Sequence, residues 1–351
     1  MPVSPISRRR LLETGALAAA AASLPPGWAA AQEKRFVANT YPGLWEEAHR
    51  IHLIPAFKKL TGIDPVMTPM LSVDVMARIL ASRANPPFDA TLNDEGPFLA
   101  NVGQDLFDVI DKSKVPNLKD IPDKFIDPSG RGVYVSAQIV GLAYNPEKIK
   151  TPPTSWDDLM RPEYKGRVGI TGPGSSLGAA WLAEVAKLHG GSEANLDPAF
   201  EQLRKLLPNV GAVAANPAPL MLLFQQGQID ISFSYLNLVM PLRARGVAVA
   251  LARPETGFVL LRNGVQVIKH AKSPELAHQF INLYLSKEVQ AGMASAPYFL
   301  APTNRTVPFA GELAKIGQTM DDLEKIPLTD WEKINPQRSE MIERFNRETK
   351  T

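Results

Sequence analysis

Cysteine is absent from all 351 residues, which excludes disulfides, thiol catalysis and thiolate metal sites. Charge of one sign is missing too. Lysine and arginine number 38 against 36 acidic residues, and like charges gather only in short pairs such as Lys58-Lys59. The basic footprint of a nucleic-acid binder is therefore not there. Histidines number five. His49 and His52, near Glu46, have a spacing that permits a shared metal, but the polar face of an amphipathic helix explains them better. His189, before Gly190-Gly191, suits a helix C-terminus. No metal site and no cofactor motif is read. After residue 31 no apolar run approaches the roughly 20 residues of a membrane span, and internal repeats are lacking.

What is present starts at the N-terminus. Ser7-Arg8-Arg9-Arg10-Leu11-Leu12 places paired arginines before an alanine-rich stretch from Gly15 to Leu24. Pro25-Pro26 and the small residues Ala29-Ala30-Ala31 follow. This is the order of a secretory signal, with cleavage expected before Gln32, and twin arginines point to the twin-arginine route. Residues 1–31 thus read as a signal peptide and the protein as periplasmic. Removing them takes away three arginines and one glutamate, leaving 35 basic and 35 acidic residues. The mature chain is formally neutral. About 320 residues exceed what one hydrophobic core usually serves, which favours two domains.

The mature chain alternates short apolar strands with amphipathic helices, the pattern of an α/β fold. Strands are expected at 35–38, 65–71, 88–92, 133–144, 167–171, 229–235, 247–252 and 257–261. The helix before Leu60 is restarted by Pro55 and stopped by Gly62. Ser155-Trp156-Asp157-Asp158 has the form of a capping box. Gly172-Pro173-Gly174-Ser175-Ser176-Leu177-Gly178 turns from a strand into the helix ending at Leu188.

Five segments together carry a resemblance. They are Leu60-Thr61-Gly62-Ile63; Gly141-Leu142-Ala143-Tyr144-Asn145; Thr154 to Leu159 with Tyr164-Lys165-Gly166-Arg167-Val168; Gln226-Gly227-Gln228-Ile229-Asp230; and Ser273-Pro274-Glu275-Leu276-Ala277. In this order, over nearly the whole mature chain, the sequence resembles the periplasmic solute-binding proteins of ABC importers, in the group of spermidine/putrescine and ferric-ion binders. The resemblance implies a two-lobed type II periplasmic-binding-protein fold, each lobe a mixed α/β sheet flanked by helices. Lobe 1 would be 32–140 plus 262–303, and lobe 2 would be 141–261 plus 304–351. Two crossover strands, near 141–144 and 258–267, would join them. It also implies a small-molecule solute and an ABC permease as partners, no nucleic acid, and a monomer that does no chemistry.

Ligands of open α/β sheets bind at the carboxyl ends of strands, and helices starting there offer free N–H groups. The loops 39–45, 93–96 and 171–178 qualify. Thr40, Tyr41 and Trp45 offer a loop hydroxyl and two rings; Asp94 and Glu95 could receive an amine or a metal. Ser175 and Ser176 combine hydroxyls with a helix start, Tyr235 and Asn237 follow a strand, and Glu255 sits where related polyamine binders place a carboxylate. The chain departs from both relatives. The loop at 172–176 carries no acid and no Tyr-Tyr pair exists, so an anionic or zwitterionic organic solute ranks ahead of a polyamine, and iron comes third. One alternative belongs to another class. Gly174-Ser175-Ser176-Leu177-Gly178 fits a serine-hydrolase nucleophile elbow, with Asp230 and His270 or His278 in chain order. No His-Gly-Gly segment precedes it.

Overall fold

The computed structural model describes residues 35–350, apart from 311–312 and 317–318; the signal peptide expected at 1–31 lies outside the described residues. Among the described residues nine strands are formed, β1 (Val37–Thr40), β2 (Val66–Pro69), β3 (Ala90–Asp94), β4 (Val133–Tyr144), β5 (Val168–Thr171), β6 (Val210–Ala214), β7 (Ile231–Tyr235), β8 (Ala250–Ala252) and β9 (Val259–Val267). Their hydrogen-bonded order is β2-β1-β3-β9-β4-β7-β5-β6, with β8 pairing β4 off that path. One path therefore runs through the whole sheet. Pairs within the two flanks, β1–β2, β1–β3, β5–β6 and β5–β7, are parallel, whereas the contacts of β9 and β4 are antiparallel. This is the mixed α/β architecture that strand–helix alternation predicts.

The two long strands organise everything else. All twelve residues of β4 and all nine of β9 are buried, so neither shows the in-out alternation of a strand with one solvated face. They pair antiparallel from Val133↔Val265 to Val140↔Val259. Buried side chains on β4 change partners midway. Val133 to Ile139 join one apolar cluster with Phe36, Phe57 and Phe280, whereas Val140 and Leu142 join another with Trp156, Leu182 and Phe233. The C-terminal segment divides as well: Leu313 and Leu323 pack in the first cluster, and Trp331, Ile334, Met341 and Phe345 in the second.

Local chemistry fixes the helix that presents the first loop. Gly62 ends it in the left-handed region at φ 74°, where a residue without Cβ is least strained. Pro55 lies one residue into the helical segment Ile54–Thr61, directly after a π turn at His49–Leu53. Proline lacks an N–H and its ring crowds the carbonyl four residues back; widening the preceding turn relieves both problems. Among the described residues no helix is long and apolar enough to cross a membrane.

Candidate functional site

The carboxyl ends of β1, β3, β5 and β7 open onto a cleft of about 450 Å³. Tyr41 and Trp45 line it from the loop after β1, their rings edge to face at 5.4 Å, a favoured aromatic geometry. Asp94, at the end of β3, sits in a net of neutral donors. Its Oδ1 accepts from the Tyr41 hydroxyl at 2.7 Å and from Asn263 Nδ2 at 2.7 Å, and its Oδ2 accepts from Ser176 Oγ at 2.9 Å. Ser72 Oγ steadies the backbone N–H of Asp94 at 2.9 Å. The Ser176 bond reaches from the loop after β5 to the end of β3, and so spans the cleft.

Helix Ser176–Leu188 begins at this edge because Ser175 caps it. Its Oγ accepts from Gly178 N at 3.0 Å and donates to Gly172 O at 3.0 Å, the cap chemistry serine is chosen for. Gly178 allows the helix to sit tightly on the loop, since a Cβ there would lie 2.2 Å from Gly172 O and 2.5 Å from Thr171 O. Both obstacles are backbone. Gly178→Ala is therefore expected to destabilise by about 1–3 kcal/mol, read as a lower urea midpoint with an unchanged slope; an unchanged midpoint would mean the loop yields freely.

The opposite wall comes from β7 and the C-terminal helix. Tyr235 and Asn237 line the cleft, as does Arg338. The Arg338 guanidinium donates to Pro173 O at 3.1 Å and Gly174 O at 3.2 Å and lies 5.7 Å from the Trp331 ring centre. Burial holds its pKa below the usual range, with Asp94 and Tyr235 pulling the other way. Burial, followed by the nearby Asp94 charge, pushes the phenols of Tyr41 and Tyr235 well above theirs. Both stay neutral hydroxyls. Gln138 on β4 and Asn237 each carry a buried amide oxygen without a donor.

Of the residues expected from sequence, the cleft gathers Tyr41, Trp45, Asp94, Ser175, Ser176, Tyr235 and Asn237. Three lie elsewhere. Thr40 has no exposed surface and its Oγ1 turns back to the Tyr41 carbonyl at 3.3 Å. Glu95 is 2% exposed and points away into an ion pair with Arg262, whose Nε lies 2.9 Å from Oε2. Alternation explains the split, because adjacent residues at a strand end face opposite sides. Glu255 is exposed in the turn after Pro254, its N–H bonded to Thr154 O at 2.7 Å. The expectations missed Arg338, Asn263, Gln138 and Ser72.

The hydrolase alternative fails on geometry. Ser176 Oγ donates a hydrogen bond to Asp94, and no histidine lines the cleft. Asp230 is held by Arg167 and Lys148 instead. His278 is engaged by the Asp111 N–H at 3.1 Å and the Pro274 carbonyl at 2.8 Å. The elbow motif needs a histidine base within hydrogen-bond reach of its serine, and Ser176 meets only the Asp94 carboxylate.

A family model described as bacterial extracellular solute-binding protein matches residues 52–318. The spermidine/putrescine-binding periplasmic protein of Escherichia coli is 25% identical over 271 residues, covering 74% of this chain and 76% of its own. A periplasmic protein of Salmonella typhimurium named for binding 2-aminoethylphosphonate is 23% identical over 315 residues, 86% of this chain and 87% of its own. Among solved structures, an ABC transporter protein from Clostridium perfringens superposes with a TM-score of 0.74 at 25% identity, over 90% of this chain and 100% of that one.

Proposed function

Because the chain belongs to the bacterial extracellular solute-binding proteins, we propose that it captures a small polar or charged solute in the Tyr41–Asp94–Tyr235 cleft and delivers it to an ABC permease. Its relatives are periplasmic, and it works there. The twin arginines at Arg8 and Arg9 make the twin-arginine route our reading of its export.

The observation that carries this reading is the cleft itself. Its walls come from strand ends on either side of β4 and β9, and Ser176 is bonded across it to Asp94. Residues 32–140 with 262–303 form one lobe in this proposal and 141–261 with 304–351 the other, the stretch holding Leu313 and Leu323 crossing back to pack in the first cluster before Trp331 enters the second. β4 and β9 are the hinge strands, because they are where buried side chains pass from one apolar cluster to the other. A solute touching both walls binds the closed form better and shifts the population toward it.

A solute bound at 100 times its Kd stabilises by about 2.7 kcal/mol, so a thermal-shift screen finds the ligand directly. Trp45→Ala and Tyr235→Ala should each weaken it by about tenfold or more, as expected for truncating a buried aromatic contact. Titration calorimetry reads the loss. Affinity untouched by both changes would move the binding site away from this cleft.

A further inference from the structure

Charge in the cleft is sparse and unanswered. Among the described residues lining it, Asp94 and Arg338 are the only charged ones. Asp94 receives hydrogen bonds from Tyr41, Asn263 and Ser176, all neutral donors. The Arg338 guanidinium donates to two backbone carbonyls and pairs with no carboxylate. Glu95, one residue from Asp94, is already held by Arg262. Asp94 and Arg338 are half-buried and feel each other's charge, but neither is tied up in an ion pair, so each keeps capacity for a charged group on a ligand.

Beside its neutral polar groups, part of the wall is apolar. Trp45, Leu71, Val73, Pro97, Pro217 and Leu238 line it, and Leu71 and Val73 stay 39% and 52% exposed. Single exposed apolar side chains are ordinary, but here they belong to a concave wall with room for a body of some size. We infer that the solute is a zwitterion with an apolar body, its ammonium set against Asp94 and its carboxylate or phosphonate against Arg338. This deepens the proposed solute-binding function and rests on it.

The competing ligand classes meet specific obstacles. A polyamine brings two or more cations, of which Asp94 answers one, while Arg338 repels the next. A bare phosphate would fill little of 450 Å³ and leave Asp94 facing an anion. A ferric ion finds one carboxylate, beside phenols that resist ionisation. The guanidinium fork suits either a carboxylate or a phosphonate.

The test compares charge patterns on a common body, using the protein lacking residues 1–31 and isothermal calorimetry. The zwitterions are phenylalanine, 6-aminohexanoate and 2-aminoethylphosphonate. Phenethylamine and hexylamine keep only the cation, phenylpropanoate and hexanoate only the anion, and spermidine and inorganic phosphate complete the set. At least one of the first two zwitterions should bind about tenfold or more tighter than its singly charged parents, since each parent leaves one protein charge unpaired. Tighter binding of 2-aminoethylphosphonate than of either would overturn the apolar body. Arg338→Met should cost the zwitterion about tenfold while sparing the amine parent, and Asp94→Asn should cost the zwitterion about tenfold while sparing the anion parent; the melting temperature without ligand confirms that each variant folds. The panel on the unmodified protein decides the matter even if a variant does not. Spermidine binding tighter than every zwitterion overturns the zwitterion and leaves solute binding standing. No binding by any panel member, with no small molecule released from the purified protein on denaturation, overturns both.

Discussion

Arg262→Met is expected to lower the free energy of unfolding by about 3–5 kcal/mol at pH 7, the cost of stranding one member of a buried ion pair. Arg262 on β9 is 7% exposed and Glu95 is 2% exposed. Two guanidinium nitrogens meet the two carboxylate oxygens, with Nε at 2.9 Å from Oε2. A third nitrogen donates to the Lys124 carbonyl, and the guanidinium lies 4.0 Å from the Tyr134 ring centre. Methionine fills part of the volume and supplies no donor. Even in the intact pair, burial pushes the Glu95 pKa up, opposed by the hydrogen bonds and charge of Arg262. Without Arg262 that opposition ends, and folded Glu95 keeps its proton at pH values where the unfolded carboxyl has lost it. The folded variant then binds more protons than the unfolded chain, so its deficit shrinks as pH falls toward the ordinary carboxylate range near 4. Adding Glu95→Gln should recover part of the loss, a coupling that a double-mutant cycle reads. Urea unfolding at pH 7 and pH 5 checks both statements. A loss under about 1 kcal/mol at pH 7 would mean that water reaches the carboxylate.

Glu95 also shows what the sequence could and could not reveal. Asp94-Glu95 ends a strand, so two adjacent carboxylates in a candidate loop were legible, and so was β4 as one long strand. Which carboxylate faced the cleft was not. That depended on where Arg262 and Asn263 land when β9 pairs with β3, at a separation of 169 residues for Asn263 and Asp94. Polar residues inside buried strands were the available hint: Gln138 stands in β4, and Arg262, Asn263 and Gln266 stand in β9. Arg338 gave no such hint, since its helix is strongly polar and only the packing of Trp331 and Phe345 under the second cluster brings it to the cleft. Turn punctuation did not reveal every element, even where Asp197-Pro198 and Pro208-Asn209 supplied it. Helix Asp197–Leu206 and β6 lay unassigned, and the expected strand at 247–252 shrank to the three residues that pair with β4.

Lowering the pH should weaken the wild-type fold through His49, and His49→Phe should flatten that response. His49 has no exposed surface and shares a 2.5 Å hydrogen bond with the Tyr284 hydroxyl. The rings of Trp45 and Tyr284 stand edge to face against it, at 5.8 Å and 5.1 Å. Burial alone lowers its pKa to about 3, against about 6.5 in an unfolded chain. Above about pH 6.5 both states are neutral and the site costs nothing. Between about 6.5 and 3 the unfolded chain binds a proton that the folded one refuses. Stability therefore falls by up to about 1.4 kcal/mol per pH unit, reaching about 4–5 kcal/mol near pH 3. Phenylalanine removes this term but leaves the Tyr284 hydroxyl buried without its partner, at a cost of about 1–3 kcal/mol. The variant should be the weaker protein at pH 7 and the stronger one at pH 4, the two stability curves crossing near pH 5. Urea midpoints collected for both proteins from pH 4 to 8 supply the comparison. Parallel curves would mean that the imidazole takes up its proton inside the fold without penalty.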